Sequence, residues 1–229
     1  MSSNVRHRIP SECWSTDDDL AAQTFNGWDY VLDSVRTATK VRIDSTNPFA
    51  NAFPGDHYRL LAGLVYNLSR TKGPLSLVDI GTHYGTSARV MLDFSSPEDK
   101  VTTFDVTPWV DYETTYLTEE DFASGRLVQH LDDIKESDNF KKHSELLMNA
   151  DFIMCDGPKD GVFERSFLTK LSSLEFPGKP RFLFLDDIKF KSEMPLWRSI
   201  QSPKIDLTSF GHFSGTGLVD ISDGLKLES

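Results

Sequence analysis

Along most of the chain, apolar residues fall into short blocks separated by polar turns. Leu75, Leu77, Val78 and Ile80 form one block behind the Gly73-Pro74 break and predict a buried strand. Ahead of it, Tyr58, Leu60, Leu61, Leu64, Val65 and Leu68 recur at helical spacing from Asp56 and stop at Lys72-Gly73-Pro74, which predicts a helix. Behind it, a second helical pattern opens at Thr86-Ser87 and runs through Ala88, Val90 and Met91. The runs 100–105, 126–130, 151–155 and 181–185 read as four further strands. Phe163, Phe167, Leu168 and Leu171 mark a helix between the last two, and Leu196, Trp197 and Ile200 a short one after them. Residues 204–210 and 216–221 flank a turn from Gly211 to Gly215 and read as a hairpin. Strand–helix units closed by a hairpin predict one doubly wound, mostly parallel sheet.

Residues 1–54 stand apart from these units. They carry Trp14, Phe25, Trp28 and Tyr30, an acidic run at 17–19, and a loop-like stretch at 45–54. Aromatics at this density suggest packing on a neighbour, either as a lid over a site or as a helix docked on the core. The expected division is an N-terminal extension at 1–54 and a domain at 55–229.

Composition narrows the classes. A chain of 229 residues with 38% hydrophobic content supports one sizeable core rather than two ordinary domains. Its net charge of −11 argues against a nucleic-acid phosphate backbone as partner. Cys13 and Cys155 lie far apart and form no metal or redox motif, which fits a reduced intracellular compartment. The polar, basic N-terminus has no apolar core of a signal peptide, and no apolar run is long enough to span a bilayer. A soluble, cytoplasmic protein is expected.

The chemistry sits where the blocks end. The strand at 75–80 carries Asp79 near its end, followed by Gly81 and Gly85 and then the helix opened by Thr86-Ser87. Glycine lets backbone approach a ligand closely, and the first N–H groups of a helix face it. The spacing is not the dinucleotide fingerprint G-x-G-x-x-G, and no Lys-Ser or Lys-Thr pair completes a P-loop. The next strand ends in Asp105, where a carboxylate can accept hydrogen bonds from both ribose hydroxyls. The remaining strands end in Asp132-Asp133, Asp156 and Asp186-Asp187. A single Asp at such a place is ordinarily a turn former or helix cap. Acids at every strand end repel one another unless a cation or a hydroxyl-rich ligand lies between them. Asp156, Asp186 and Asp187 together offer oxygen donors that suit Mg²⁺ or Mn²⁺.

The turn after Asp79 resembles the first motif of S-adenosylmethionine-dependent methyltransferases. The strand ends as a set are similar to those of the metal-dependent O-methyltransferases, of the catechol type and of the macrolide-sugar type related to macrocin O-methyltransferase. The resemblance spans roughly residues 56–221. It implies a Rossmann-like doubly wound seven-stranded sheet, mostly parallel, with a C-terminal antiparallel hairpin. It implies S-adenosyl-L-methionine as cofactor, held by Asp79, Gly81, Thr82, Gly85, Ser87, Asp105, Asp132 and Asp156. It also implies Mg²⁺ (or Mn²⁺) on Asp156, Asp186 and Asp187. In catechol enzymes a lysine three residues after the strand-four Asp, with another Asp next, is the general base, and Lys159 followed by Asp160 has that spacing. Asp187, where catechol enzymes carry Asn, matches the sugar enzymes instead.

Close to a dication and partly desolvated, Lys159 is expected to have a lowered pKa and to accept a proton. Arg165 and His212 are placed at the same mouth by position alone, and His57 and His83 read as packing or cofactor contacts. The implied activity is Mg-assisted O-methylation of a sugar, glycan or other small molecule. The competing readings are a metal-independent methyltransferase and a catalytically silent scaffold; a nicotinamide oxidoreductase is disfavoured by the missing fingerprint. The expected partner is a small-molecule or sugar substrate, with no nucleic acid and no membrane, and a homodimer stays an open option.

Overall fold

The computed structural model describes residues 25, 27–43, 56–176 and 178–228. Cys13, Trp14, the acidic run at 17–19 and the stretch at 45–54 lie outside the described residues. Among those described, strands β1 (Ser76–Ile80), β2 (Lys100–Phe104), β3 (Leu127–His130), β4 (Phe152–Cys155), β5 (Phe182–Asp186), β6 (Lys204–Asp206) and β7 (Thr216–Asp220) make one sheet in the order β3-β2-β1-β4-β5-β7-β6. Strands β1 to β5 are parallel, and β7 is antiparallel to both β5 and β6. This is a Rossmann-like doubly wound sheet with an antiparallel C-terminal pair. The helices are α1 (Trp28–Ala38), α2 (Asp56–Thr71), α3 (Thr86–Phe94), α4 (Glu119–Ala123), α5 (Ser137–Asn149), α6 (Phe163–Leu171) and α7 (Met194–Ser199). None is long and apolar enough to cross a membrane.

Parallel strands covered on both faces are apolar at nearly every position, which is why they stand out in the sequence. Alternate residues feed two cores. Leu77, Val101, Phe152, Met154 and Phe184 pack with α1 to α3, while Val78, Ile80, Phe104, Ile153 and Leu185 pack with α5 to α7. Helix α1 lies against α2 so closely that a Cβ on Gly63 would fall 2.2 Å from the Ser34 carbonyl oxygen. The Tyr30 hydroxyl donates to the Leu64 carbonyl at 2.8 Å, and Phe25, Val31 and Ile43 join the same core.

Two elements depart from the sequence reading. Helix α5 went unread because its buried stripe is only Phe140, His143 and Leu147 in an otherwise polar segment. The guanidinium of the fully buried Arg181 donates to the Met148 and Ala150 carbonyls at its C-terminal end. The predicted hairpin strand 204–210 is shorter than expected. Asp206 accepts from the Thr208 N–H at 3.0 Å and turns Thr208–Phe210 into a 3₁₀ helix, so β6 stops at Asp206.

Strand order reverses between β1 and β4, and the turn after β1 meets the end of β4 there. Open α/β sheets form their ligand crevice at such a point, beyond the carboxyl ends of the strands.

Candidate functional site

A cavity of about 460 Å³ lies over the carboxyl ends of β1 to β4, lined among others by Gly81, Asp105, Asp132, Ile134, Asp156 and Phe163. Gly81 makes it possible. Its φ of +102° is a left-handed conformation, and a Cβ would sit 2.2 Å from the Asp156 carbonyl oxygen. Its N–H donates to the Phe104 carbonyl at 2.9 Å, so the turn lies across β2 as well. The Asp105 carboxylate accepts from the backbone N–H groups of His83 (2.8 Å), Val106 (2.8 Å) and Thr107 (3.0 Å), and ties the β1 turn to the β2 turn.

Of the expected cofactor contacts, Gly81, Asp105, Asp132 and Asp156 line the cavity. Asp79, Thr82, Gly85 and Ser87 do not; they build the turn from behind. Asp79 is fully buried, and its Oδ2 accepts from the Thr103 hydroxyl at 2.8 Å. Thr103 and Thr82 share a hydrogen bond of 2.7 Å, and the Gln129 amide donates to Thr82 at 3.1 Å and to the Thr107 carbonyl at 3.1 Å. Asp79, Thr103 and Gln129 are in register on β1, β2 and β3, so one polar rung braces three strands and the loop after β2. Gln129 escaped the sequence reading; only its register with Asp79 marks it. Asp132 is also engaged: its Oδ2 takes the Lys142 ammonium at 2.8 Å and His143 Nε2 at 2.7 Å, which hold its carboxyl below the ordinary range.

Burial raises the Asp79 carboxyl to about 7, opposed by hydrogen bonds from Ser87 and Thr103. The folded chain therefore binds this proton more tightly than the unfolded one. Stability from this group is complete below the ordinary carboxyl range and is lost as pH rises towards 7, by as much as about 4 kcal/mol. Asp79→Asn keeps the acceptor without the charge and is expected to remove that component. Urea unfolding of both proteins from pH 4 to 8 checks this; parallel losses would show that Asp79 does not carry it.

Beside the cavity, Asp156, Asp186 and Asp187 each place an oxygen within 4.8 Å of the others. Asp187 holds a left-handed φ of 62° just after β5, a conformation that Asp tolerates better than most residues. With Lys159 (φ 59°) and His83 (φ 43°), it completes the set of non-glycine residues with positive φ among those described. All three lie in turns at this end of the sheet. Burial, with Asp156 nearby, pushes the Asp186 carboxyl well above its usual range, and its Oδ1 has no hydrogen-bond donor. Asp187 is held below that range: burial opposes this, but hydrogen bonds from His212 and Ser214 win.

Lys159 Nζ lies 3.0 Å from Asp156 Oδ1, not on Asp160, whose carboxylate instead accepts from the Val162 and Phe163 N–H groups. The expected lowering of its pKa applies to a lysine beside a dication; the protein's own charges act in the other direction. Burial alone would lower it, but Asp156, Asp186 and Asp187 outweigh burial and hold the lysine protonated above its ordinary value.

Two histidines join this cluster. His57 Nε2 is 3.9 Å from Asp186 Oδ2, His212 Nδ1 is 3.5 Å from Asp187 Oδ1, and the two rings are 5.1 Å apart. The placement of His212 at this mouth agrees with its expected position. His57 faces the carboxylates rather than the edge of the cofactor turn. The adjacent Tyr58 bonds Thr86, and burial beside Asp156 and Asp186 keeps its phenol protonated. His83 lines the cavity and its ring packs on Tyr84 at 3.8 Å, whereas Arg165 is exposed on α6 and lies outside the cavity wall.

No protein-family model matches the chain, and no curated protein matches it. Solved structures similar to it include a methyltransferase from Geobacter sulfurreducens, 15% identical over 73% of this chain and 78% of that one, with a TM-score of 0.45. Aeropyrum pernix fibrillarin with natively bound S-adenosyl-L-methionine is 15% identical over 72% and 76%, at a TM-score of 0.47. The SAH-bound Podospora anserina methyltransferase PaMTH1 is 13% identical over 88% of each chain, at a TM-score of 0.45. Likenesses this distant say nothing of substrate or mechanism, and the chemistry of this chain rests on its own side chains.

Proposed function

We propose that this chain is an S-adenosyl-L-methionine-dependent O-methyltransferase acting on a hydroxyl of a sugar, glycan or other small molecule, with a divalent cation at its carboxylate cluster. One observation carries the reading. Asp156 belongs both to the wall of a nucleoside-sized cavity and to the buried Asp156–Asp186–Asp187 cluster. A cofactor in the cavity and an acceptor at the cluster would meet across that one residue.

The residues fit a dication. Three carboxylates against the Lys159 ammonium leave two negative charges, and the buried Asp186 Oδ1 has no donor. The oxygen set alone suits Mg²⁺ or Mn²⁺. When bound, such an ion supplies neutralising charge and acidifies an acceptor hydroxyl. The transfer itself breaks the S–CH₃ bond and forms an O–CH₃ bond. It releases the hydroxyl proton and leaves S-adenosylhomocysteine. Since the sulfonium is already electrophilic, the protein's task is alignment. Gly81 lets the backbone approach the cofactor, and Asp105 offers its remaining acceptor capacity to the ribose. Lys159 is the proton-holding group at the cluster, and it can act as base once the carboxylates that keep it charged are neutralised. Phe213 is 62% exposed, and its ring lies 4.7 Å from that of His212, which supports ring stacking of a sugar or aromatic acceptor.

A metal-independent methyltransferase is the second reading, favoured by the Lys159 ammonium that already serves as counter-ion to Asp156. Turnover unaffected by EDTA would select it. The test of the main reading is calorimetric titration of S-adenosyl-L-methionine with and without Mg²⁺. Micromolar binding that weakens about ten-fold or more in Asp105→Ala supports it. No binding in either buffer overturns it.

A further inference from the structure

We infer that His57 and His212 are ligands of the same cation site, so that it takes a borderline transition-metal dication such as Co²⁺ or Zn²⁺ in preference to Mg²⁺. This rests on the reading of the carboxylate cluster as a cation site and goes beyond it in naming the ligand set and the metal class.

Two triplets of donors converge on one residue. Asp156, Asp186 and Asp187 form the first, and His57, Asp186 and His212 the second, each with donor atoms within 4.8 Å of one another. Asp186 is common to both, its side chain is 6% exposed, and its Oδ1 has no hydrogen-bond donor. His57 Nε2 and His212 Nδ1 stand 3.9 Å and 3.5 Å from the nearest oxygens of Asp186 and Asp187, and His212 Nδ1 also meets the Ser214 hydroxyl. Ligands at 2.0–2.2 Å from a shared ion stand roughly 3 Å apart, so a small rotation of each side chain completes the shell.

The two imidazoles arrive on separate elements, each held in place. His57 is in the first turn of α2, and its ring packs on Tyr58 at 3.9 Å between centroids. His212 is in the loop between β6 and β7, where its N–H donates to the Thr216 hydroxyl at 3.0 Å and its carbonyl accepts from the Gly215 N–H at 2.9 Å. Gly215 has φ +107°, and a Cβ there would come 2.6 Å from the Lys189 nitrogen, so the loop has one tight path. Neutral imidazoles add no charge. The set of three carboxylates and one ammonium still matches a dication, but with a mixed N/O shell. Mg²⁺ prefers oxygen and holds imidazole poorly, whereas Co²⁺ and Zn²⁺ bind it well.

The experiment uses the full chain stripped of metal, with His57→Asn, His212→Asn and the double variant. Calorimetric titrations with Mg²⁺, Mn²⁺, Co²⁺ and Zn²⁺ are paired with pulsed electron paramagnetic resonance of the Mn²⁺-loaded proteins. The wild type should bind Co²⁺ and Zn²⁺ at least about ten-fold more tightly than Mg²⁺ and show ¹⁴N couplings from two imidazoles. Each single variant should lose one coupling and about ten-fold in Co²⁺ affinity, with Mg²⁺ affinity within about two-fold of wild type. Unchanged S-adenosyl-L-methionine affinity and thermal unfolding would confirm that each variant is folded. Mn²⁺ binding without nitrogen coupling overturns the inference and leaves the carboxylate site standing. Cofactor binding with no divalent binding at all overturns both metal statements and selects the metal-independent methyltransferase.

Discussion

Asp186→Ala is expected to lower kcat/KM for methyl transfer by about a thousand-fold or more while leaving S-adenosyl-L-methionine affinity within about two-fold of wild type. The split follows from position. Asp186 belongs to both donor triplets, yet it does not line the cavity, whereas Asp156 does. Loss of its carboxylate removes a buried acid with an oxygen that has no donor, so the fold does not depend on it in the way it depends on a paired charge. Thermal unfolding no worse than wild type, together with intact cofactor titration and absent turnover, is the expected combination. Turnover at the wild-type level would exclude the carboxylate cluster from catalysis. Loss of all three properties together would indicate that Asp186 acts structurally.

Gly81→Ala is expected to be the more damaging change, destabilising the fold by roughly 3 kcal/mol or more and weakening cofactor binding about a hundred-fold. Two effects add. The left-handed φ of +102° is strained for any side chain, and the new Cβ would meet the Asp156 carbonyl oxygen at 2.2 Å. That oxygen is backbone at the end of β4, so relief requires the β1 turn and the Asp156 segment to separate, which opens the crevice where the cavity meets the Asp156–Asp186–Asp187 cluster. Gly125→Ala is the control: its φ is +70°, and no atom lies within 4 Å of the added Cβ. Strain alone there should cost about 1 kcal/mol and leave cofactor binding intact. Denaturant unfolding and cofactor titration of the two variants separate strain from clash. A Gly81→Ala protein that binds cofactor like wild type would disprove this account of the turn.

Much of this arrangement could be read in advance. The five parallel strands appear as apolar runs because both of their faces are covered, and the acids at their ends mark where the runs stop. Asp105, Asp156, Asp186 and Asp187 were legible for that reason. Helix α5 was not, since Phe140, His143 and Leu147 make too thin a stripe against its polar remainder. In Trp28–Ala38 the residues Trp28, Val31, Val35 and Ala38 do recur at helical spacing, but its seat against Gly63 depends on a backbone contact that composition does not encode.

Local chemistry in the sequence determined where the parallel strands stop, which turns need glycine, and which carboxylates stand at the strand ends. What only the tertiary structure decided is how those groups act on one another. Lys159 follows Asp156 closely in the chain, but its protonation depends on Asp186 and Asp187 brought in from β5 and its following turn. Gln129 matters because β3 falls into register with Asp79 two strands away. His57 and His212 come from opposite ends of the domain, and their approach to Asp186 and Asp187 is set by the packing of α2 and the return of β7 beside β5. Coulombic interactions depend on distance in space, and distances between residues far apart in the chain exist only once the chain has folded.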